Sequence, residues 1–314
     1  MKALPKLPHG SVEWKMSRWK DEQERCLFGA SDASALMGAS PYKTRADLFL
    51  DKTTLPEDEQ IQSDAFYRGN LLEPALIQHA INELKTDFVT PDYVYRDGRW
   101  SISMDAVDYE LQPFVGIECK TTTRYRIDSA EDLPMEWRWQ GYAQMLVLNV
   151  PIFFSVLDAN QRVRLVELQR DQKALDLLAR ESELFGDAID RQDFSGEINQ
   201  MTADQIAQLV TVTDDVVELG DNAMTWVATL EEGRQMKKQG EQLEKEAKDH
   251  LARMLLHASK GTINGQVMVT WKEQNGRAGI NLKALTENHP EIVAQYERAG
   301  NPFRVMRLVN KAEK

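Results

Sequence analysis

Hydrophobic and polar positions repeat with two periods along this chain, and the switches between them predict its elements. In FYRGNLLEPALIQHAINELK, Leu72, Leu76, Ala80 and Leu84 recur at spacing four, which predicts a long helix. Upstream, DASALM and RADLFLDKT predict two shorter helices, with Ser31 as N-cap of the first and Gly38 and SPYKT breaking between them. TTLPEDEQIQSD reads as a polar connection. The period then falls toward two. FVTPDYVYRDGRWSISMDAVDYE holds short alternating runs around a turn at Asp97-Gly98, and FVGIECKTTT is rich in strand formers. Past a polar loop, YRIDSAEDLP, come a helix through MEWRWQGYAQMLVLN, a hairpin in IFFSVLDANQRVRLVELQ with Asn160 near its turn, and an amphipathic helix in DQKALDLLARESELFGDAID. That order predicts an α/β fold with a mixed central sheet flanked by helices, spanning residues 1–195 as one domain.

Beyond residue 195 the pattern changes. FSGEINQMTADQ is polar and reads as a linker. A strongly charged helical stretch follows, with Leu243, Ala247, Leu251, Met254 and Ala258 forming one apolar stripe and Gly233 and Gly240 weakening its first half. INGQVMVTWKEQ opens on an Asn-Gly turn and alternates Val267, Val269 and Trp271. NLKALTENHPEIVAQYERAG is helical on both sides of Pro290, and FRVMRLVN reads as a final strand. Residues 196–314 are thus expected to form a small C-terminal α+β appendage. The stripe suits packing on the core, oligomerisation or engagement of a partner.

Composition narrows the classes. The chain has 314 residues, 42% hydrophobic and 28% charged, which is ordinary for a globular protein with a sizeable core. Two cysteines, Cys26 and Cys119, are too few for a disulfide framework or a four-cysteine cluster. His79, His250, His257 and His289 lack metal-ligand spacing. No signal peptide or bilayer-length apolar run is visible, so a cytoplasmic location is expected. A net charge of −12 speaks against broad, non-specific nucleic-acid binding but leaves room for a local basic channel.

The chemistry concentrates in GIECKTTT. Side chains alternate along a strand, so Glu118 and Lys120 share a face, roughly 7 Å apart at ordinary strand rise. A hairpin would bring Asp105 of SISMDAVD beside them. Asp105 and Glu118 would then offer oxygens to one hard cation, with the Cys119 carbonyl as a further donor. Lys120 would stand beside a metal-bound water or a phosphate acquiring charge. Glu73, in RGNLLEPALIQ, is a fourth candidate ligand in the first turns of the long helix. The same residues also describe alternating charge on an amphipathic strand and a solvated helix glutamate.

Four segments lend that set a context. GASDASALMGASPYKTRADLFLDKT, RGNLLEPALIQ, SMDAVDYELQPFVGIECKTTT and MEWRWQGYAQMLVLN resemble, in order, the signature segments of the YqaJ-like viral recombinase family. This is the phage lambda-exonuclease type of the PD-(D/E)xK nuclease superfamily. Met104 stands where the superfamily name has proline, which would only restrict the backbone. The resemblance implies a restriction-endonuclease-like core and a Mg²⁺-dependent exonuclease, with Mn²⁺ substituting. Such an enzyme digests one strand of double-stranded DNA 5′→3′ and leaves a 3′ overhang. It further implies that Glu73, Asp105, Glu118 and the Cys119 carbonyl bind metal, that Lys120 assists the attacking water, and that Arg25, Ser31 and Ser103 lie at a DNA phosphate. Gln140 or Gln144 matches the family glutamine, Gln140 being favoured. Duplex DNA ends, a single-strand annealing protein and a ring-shaped homotrimer are the implied partners. Trp137 and Trp139 suit either base stacking or core packing, and Lys43, Arg45 and Arg68 either phosphates or solvent. Other readings are an endonuclease with the same site and a non-catalytic DNA-binding recombination module. The two cysteines exclude an iron–sulfur nuclease without outside ligands.

Overall fold

Most changes of period become changes of element in the computed structural model, which describes residues 1–8, 11–54, 64–210, 213–276, 279–297 and 304–308. The chain divides into two compact units, Met1–Val210 and Thr211–Lys314. The first unit opens with β1 (Lys2–Pro5) and α1 (Val12–Trp19), neither of which the periodicity announces. The short α2 (Asp32–Leu36) and α3 (Arg45–Thr53) follow. Thr44 and Asp47 form a reciprocal capping box that starts α3 at the expected residue. Ser31 stands at the N-cap of α2 but makes no capping bond; the Gly29 N–H is instead taken by Asp32 at 2.9 Å.

The long helix α4 (Asp64–Leu84) runs through Pro74. It already includes Asp64, so Glu73 lies near its middle rather than in its first turns. Then come β2 (Tyr93–Asp97) and β3 (Trp100–Ile102), joined where Gly98 takes a φ of +52°. With β1 they form a three-stranded antiparallel sheet. β4 (Ala106–Val107), β5 (Gly116–Thr121), α5 (Met135–Leu148), β6 (Ile152–Leu157) and β7 (Val163–Glu167) build the second sheet, in the order β4-β5-β6-β7. β4 and β5 are antiparallel, β5 and β6 parallel, and β6 and β7 antiparallel. α5 is the crossover that a parallel β5–β6 pair requires. The expected mixed sheet flanked by helices is therefore present.

The faces of this sheet follow from strand alternation. Ile117 packs with Ala80 and Phe88 on the α4 side, while Phe154, Val156 and Val166 join the main core with α5 and α6 (Gln172–Asp190). Ser155 donates to the Leu76 carbonyl at 2.8 Å, tying the sheet to α4. On the other face, α5 approaches closely at Gly141. A β-carbon there would lie 2.5 Å from Leu168 and 3.0 Å from Phe154. The missing side chain sets how near Gln140 and Gln144 come to the sheet.

The polar stretch read as a linker is folded. Residues Ile198–Gln200 make a 3₁₀ turn, and α7 (Ala203–Leu209) starts at a capping box of Thr202 and Gln205. The Gln205 amide donates to Asp47 at 2.6 Å, and Arg45 donates to buried Glu197 at 2.8 Å. Its polarity serves contacts with α3 as well as solvent. In the second unit, α8 (Ala223–Leu255) spans 33 residues through both glycines. A hairpin of β8 (Lys260–Ile263) and β9 (Gln266–Thr270) turns at Asn264-Gly265. α9 (Leu282–Asn288) and α10 (Pro290–Tyr296) flank Pro290 as expected. Arg304, Val305, Met306, Arg307 and Leu308 carry no strand; the rest of the expected final strand lies outside the described residues.

Candidate active site

β5 carries the acid and the base. Its antiparallel register with β4 pairs Ala106 with Ile117, which sets Asp105 beside Glu118. The Asp105 carboxylate accepts the Cys119 N–H at 2.7 Å. Glu118 is 4% exposed, yet both its oxygens are occupied. Its Oε1 accepts from Lys120 Nζ at 2.7 Å and from the Gln140 amide, and its Oε2 from Gln144. The Gln140 carbonyl accepts a second Lys120 proton at 2.9 Å. Lys120, Glu118 and Gln140 thus close a ring of hydrogen bonds between β5 and α5.

Both glutamines serve Glu118, in different ways. Gln140 bridges Glu118 and Lys120 and lines the adjoining cavity, whereas Gln144 is fully buried behind Glu118. The Gln144 Oε1 has no hydrogen-bond partner, because its NH₂ must face a carboxylate that only accepts. Spacing on one helix face could not separate these roles.

The electrostatics is that of an acid cluster short of positive charge. Burial and the nearby Glu118 push the Asp105 carboxyl well above the usual carboxylate range, with Glu73 adding to the effect. Glu73 is raised for the same two reasons. Burial would lower Lys120, but Glu118 and Asp105 outweigh it and raise its proton affinity. The Cys119 thiol is pushed up by burial and the acids around it, which keeps it protonated and inert. Its sulfur lies 4.0 Å from the Glu73 carbonyl, on the α4 side of the sheet.

Among the described residues, no three His, Cys, Asp or Glu side chains form a ready ligand cage. Mg²⁺ does not need one, since it binds through one or two carboxylates plus waters and substrate oxygens. The donors here are all hard oxygens, and the mutual repulsion of Asp105, Glu118 and Glu73 is what a divalent cation would relieve. On that test the residues fit such an ion.

A cavity of about 310 Å³ brings Asp105, Glu118 and Gln140 together with Ser31 and Ser103. Glu73 does not line it, but interacts electrostatically with Asp105 and Glu118. Arg25 does not line it either; its guanidinium is bound to Asp21 at 2.8 and 2.9 Å. Arg18 of α1 lines it instead, its guanidinium 4.8 Å from the Trp14 ring centroid. Lys6, just past β1, is the other cation in the lining. Neither Lys6 nor Arg18 belongs to a recognisable motif, and only the placement of the N-terminal strand and helix reveals them. Trp137 stacks on Phe154 with centroids 6.4 Å apart, and Trp139 is buried against Tyr142. Lys43 is paired with Asp51, and Arg45 with Glu181 and Glu197. Arg68 lies exposed on α4.

Known proteins share parts of this chain. It is 27% identical over 184 residues to "Uncharacterized protein YqaJ" of Bacillus subtilis (strain 168), covering 56% of this chain and 57% of that protein. The chain thus spans a little over half the length of that curated relative. An alkaline exonuclease (LHK-Exo) from Laribacter hongkongensis is similar in structure at a TM-score of 0.46 and 15% identity, over 60% of this chain and 98% of that one. A phage related exonuclease from Haemophilus somnus 129PT gives 0.36 and 13%, over 57% and 97%. The family model that matches is the YqaJ-like viral recombinase domain, over residues 13–150, the stretch that carries Glu73, Asp105, Glu118, Lys120 and Gln140.

Proposed function

We propose that the protein is a Mg²⁺-dependent DNA exonuclease of phage-type recombination, digesting one strand of linear duplex DNA 5′→3′ and leaving 3′ overhangs. The observation that carries this reading is the convergence of Asp105, Glu118 and Gln140 at a cavity also lined by Ser31 and Ser103, with Lys120 hydrogen-bonded to both Glu118 and Gln140. Asp105, Glu118, Glu73 and the Cys119 carbonyl would hold Mg²⁺, or Mn²⁺ in its place. Bound there, the ion would acidify a water and offset charge on the phosphoryl oxygens. Lys120 keeps its proton under the field of Glu118 and supplies positive charge where the phosphate gains negative charge. Gln140 fixes the direction of that ammonium through its carbonyl. Ser31 and Ser103 offer hydroxyls to a phosphate, and Arg18 takes the place expected of Arg25 as the guanidinium beside them.

Such an enzyme would act on duplex ends in the cytoplasm, as a ring-shaped trimer handing its 3′ strand to a single-strand annealing protein. The decisive experiment incubates end-labelled linear duplex with protein and Mg²⁺ or Mn²⁺, beside Lys120→Ala. Wild type releases nucleotides from 5′ ends, and Lys120→Ala loses about 10²–10³-fold in rate, as for removal of one preorganised charge-stabilising group. Full activity in Lys120→Ala, or none in wild type with either ion, sinks the reading. Cutting of covalently closed circles would mark an endonuclease instead.

A further inference from the structure

Lys6 lies outside the stretch matched by the family, and the fold pins it in place. β1 pairs with β2 from Lys2↔Arg96 to Pro5↔Tyr93, and the Lys6 N–H continues the zipper by donating to the Asp92 carbonyl at 2.8 Å. Its backbone is therefore anchored one residue past the strand. Its side chain is half-buried and lines the same cavity as Asp105, Glu118 and Ser103.

The ammonium makes no ion pair or side-chain hydrogen bond among the described residues. Burial lowers its proton affinity, and the fields of Asp105, Glu73, Asp92 and Glu110 only partly offset this. A charge withdrawn from water without a contact partner costs free energy. That cost falls on a side chain that lines the space where a substrate would sit. Asp105 and Glu73 attract Lys6 at a distance, and a cation held by those carboxylates would weaken that attraction. A phosphate offers the ammonium the oxygens it lacks.

We propose that Lys6 is a substrate-positioning residue whose ammonium binds a non-bridging phosphate oxygen of the DNA strand held in the cavity. The inference rests on the nuclease reading above and extends it to a residue outside the family domain. Its role is to bind and orient, with no part in the proton transfers.

The test is metal-free binding of a short blunt duplex, in EDTA, by the full chain over a range of KCl concentrations. Loss of one phosphate contact makes the slope of log K against log [KCl] shallower by about 0.9 in Lys6→Met, while Lys6→Arg keeps the wild-type slope. In turnover, Lys6→Met raises KM about tenfold and leaves kcat within about threefold, as for lost uniform binding. Lys6→Gln serves the same purpose if Lys6→Met fails to fold by circular dichroism. A slope and KM unchanged in either charge-removing variant overturn the proposal. So does unchanged DNA binding combined with tighter divalent binding, which would make Lys6 a mere counter-ion to the carboxylates. If wild type binds DNA with a Lys6-dependent slope but never hydrolyses it, the nuclease reading fails and the Lys6 contact stands. If wild type hydrolyses DNA and Lys6→Met behaves like it, only the Lys6 proposal fails.

Discussion

Glu118 is a carboxylate held almost out of water by donors from two elements. Lys120 and Gln140 reach one oxygen and Gln144 the other, so its charge is buried but hydrogen-bonded. Gln144 is fully buried and does not line the cavity, which makes it a clean probe of this support. Gln144→Leu leaves Oε2 without that donor inside the fold, at a cost of about 1–3 kcal/mol. Urea unfolding should show that loss as a lower midpoint with an unchanged slope, and single-turnover hydrolysis should slow. Wild-type stability in Gln144→Leu would mean that water replaces the amide at Glu118. The identity of Glu118 and Lys120 was legible in the sequence because strand alternation forces them to one face. The division of labour between Gln140 and Gln144 was not, because both sit on the same helical face and only contact with Glu118 separates them.

At the scale of elements, the site is a sandwich of one strand and one helix. β5 supplies the acid and the base, and α5 supplies both amides, so the proposed activity would depend on how closely the two lie. Gly141 governs that distance, since its missing β-carbon is where Leu168 and Phe154 sit. Gly141→Ala should overpack the interface by about 1–3 kcal/mol, more than the roughly 1 kcal/mol gained in helix propensity. Thermal melting should report the destabilisation, and kcat should fall with it because Gln140 is carried outward. A variant more stable than wild type would show that the interface yields freely. Helices and hairpins were read well here, since α3 starts at a clear capping pair and the β6–β7 pair alternates on either side of its turn. The polar stretch before α7 was misread as a linker. Its polar side chains, Glu197 and Gln205, find partners on α3, which composition cannot reveal.

At the scale of the molecule, the chain is a mixed α/β unit carrying the candidate site, followed by a second unit built around a 33-residue helix. No residue of α8 is buried, and Met224, Trp226, Leu243 and Met254 are each more than half exposed. Among the described residues, no helix is long and apolar enough to cross a membrane. The ring-shaped assembly proposed above predicts a trimer mass for the full chain at working concentration, measured by light scattering. A monomer there would remove the ring from the proposal. The net charge of −12 would then have to be reconciled with DNA binding through the cavity cations alone.

What the sequence determined by itself was what depends on neighbours along the chain. Alternation placed Glu118 and Lys120 on one face, a hairpin turn marked the β2–β3 pair, and the order of motifs set the family resemblance. Only the tertiary structure decided which distant residues share a space. It brought Lys6 and Arg18 to the cavity, left Arg25 bound to Asp21, and set Gln144 behind Glu118. The physical reason is that local periodicity encodes which side of an element a residue takes. Which elements then meet is decided by packing and by hydrogen bonds between residues far apart in the chain.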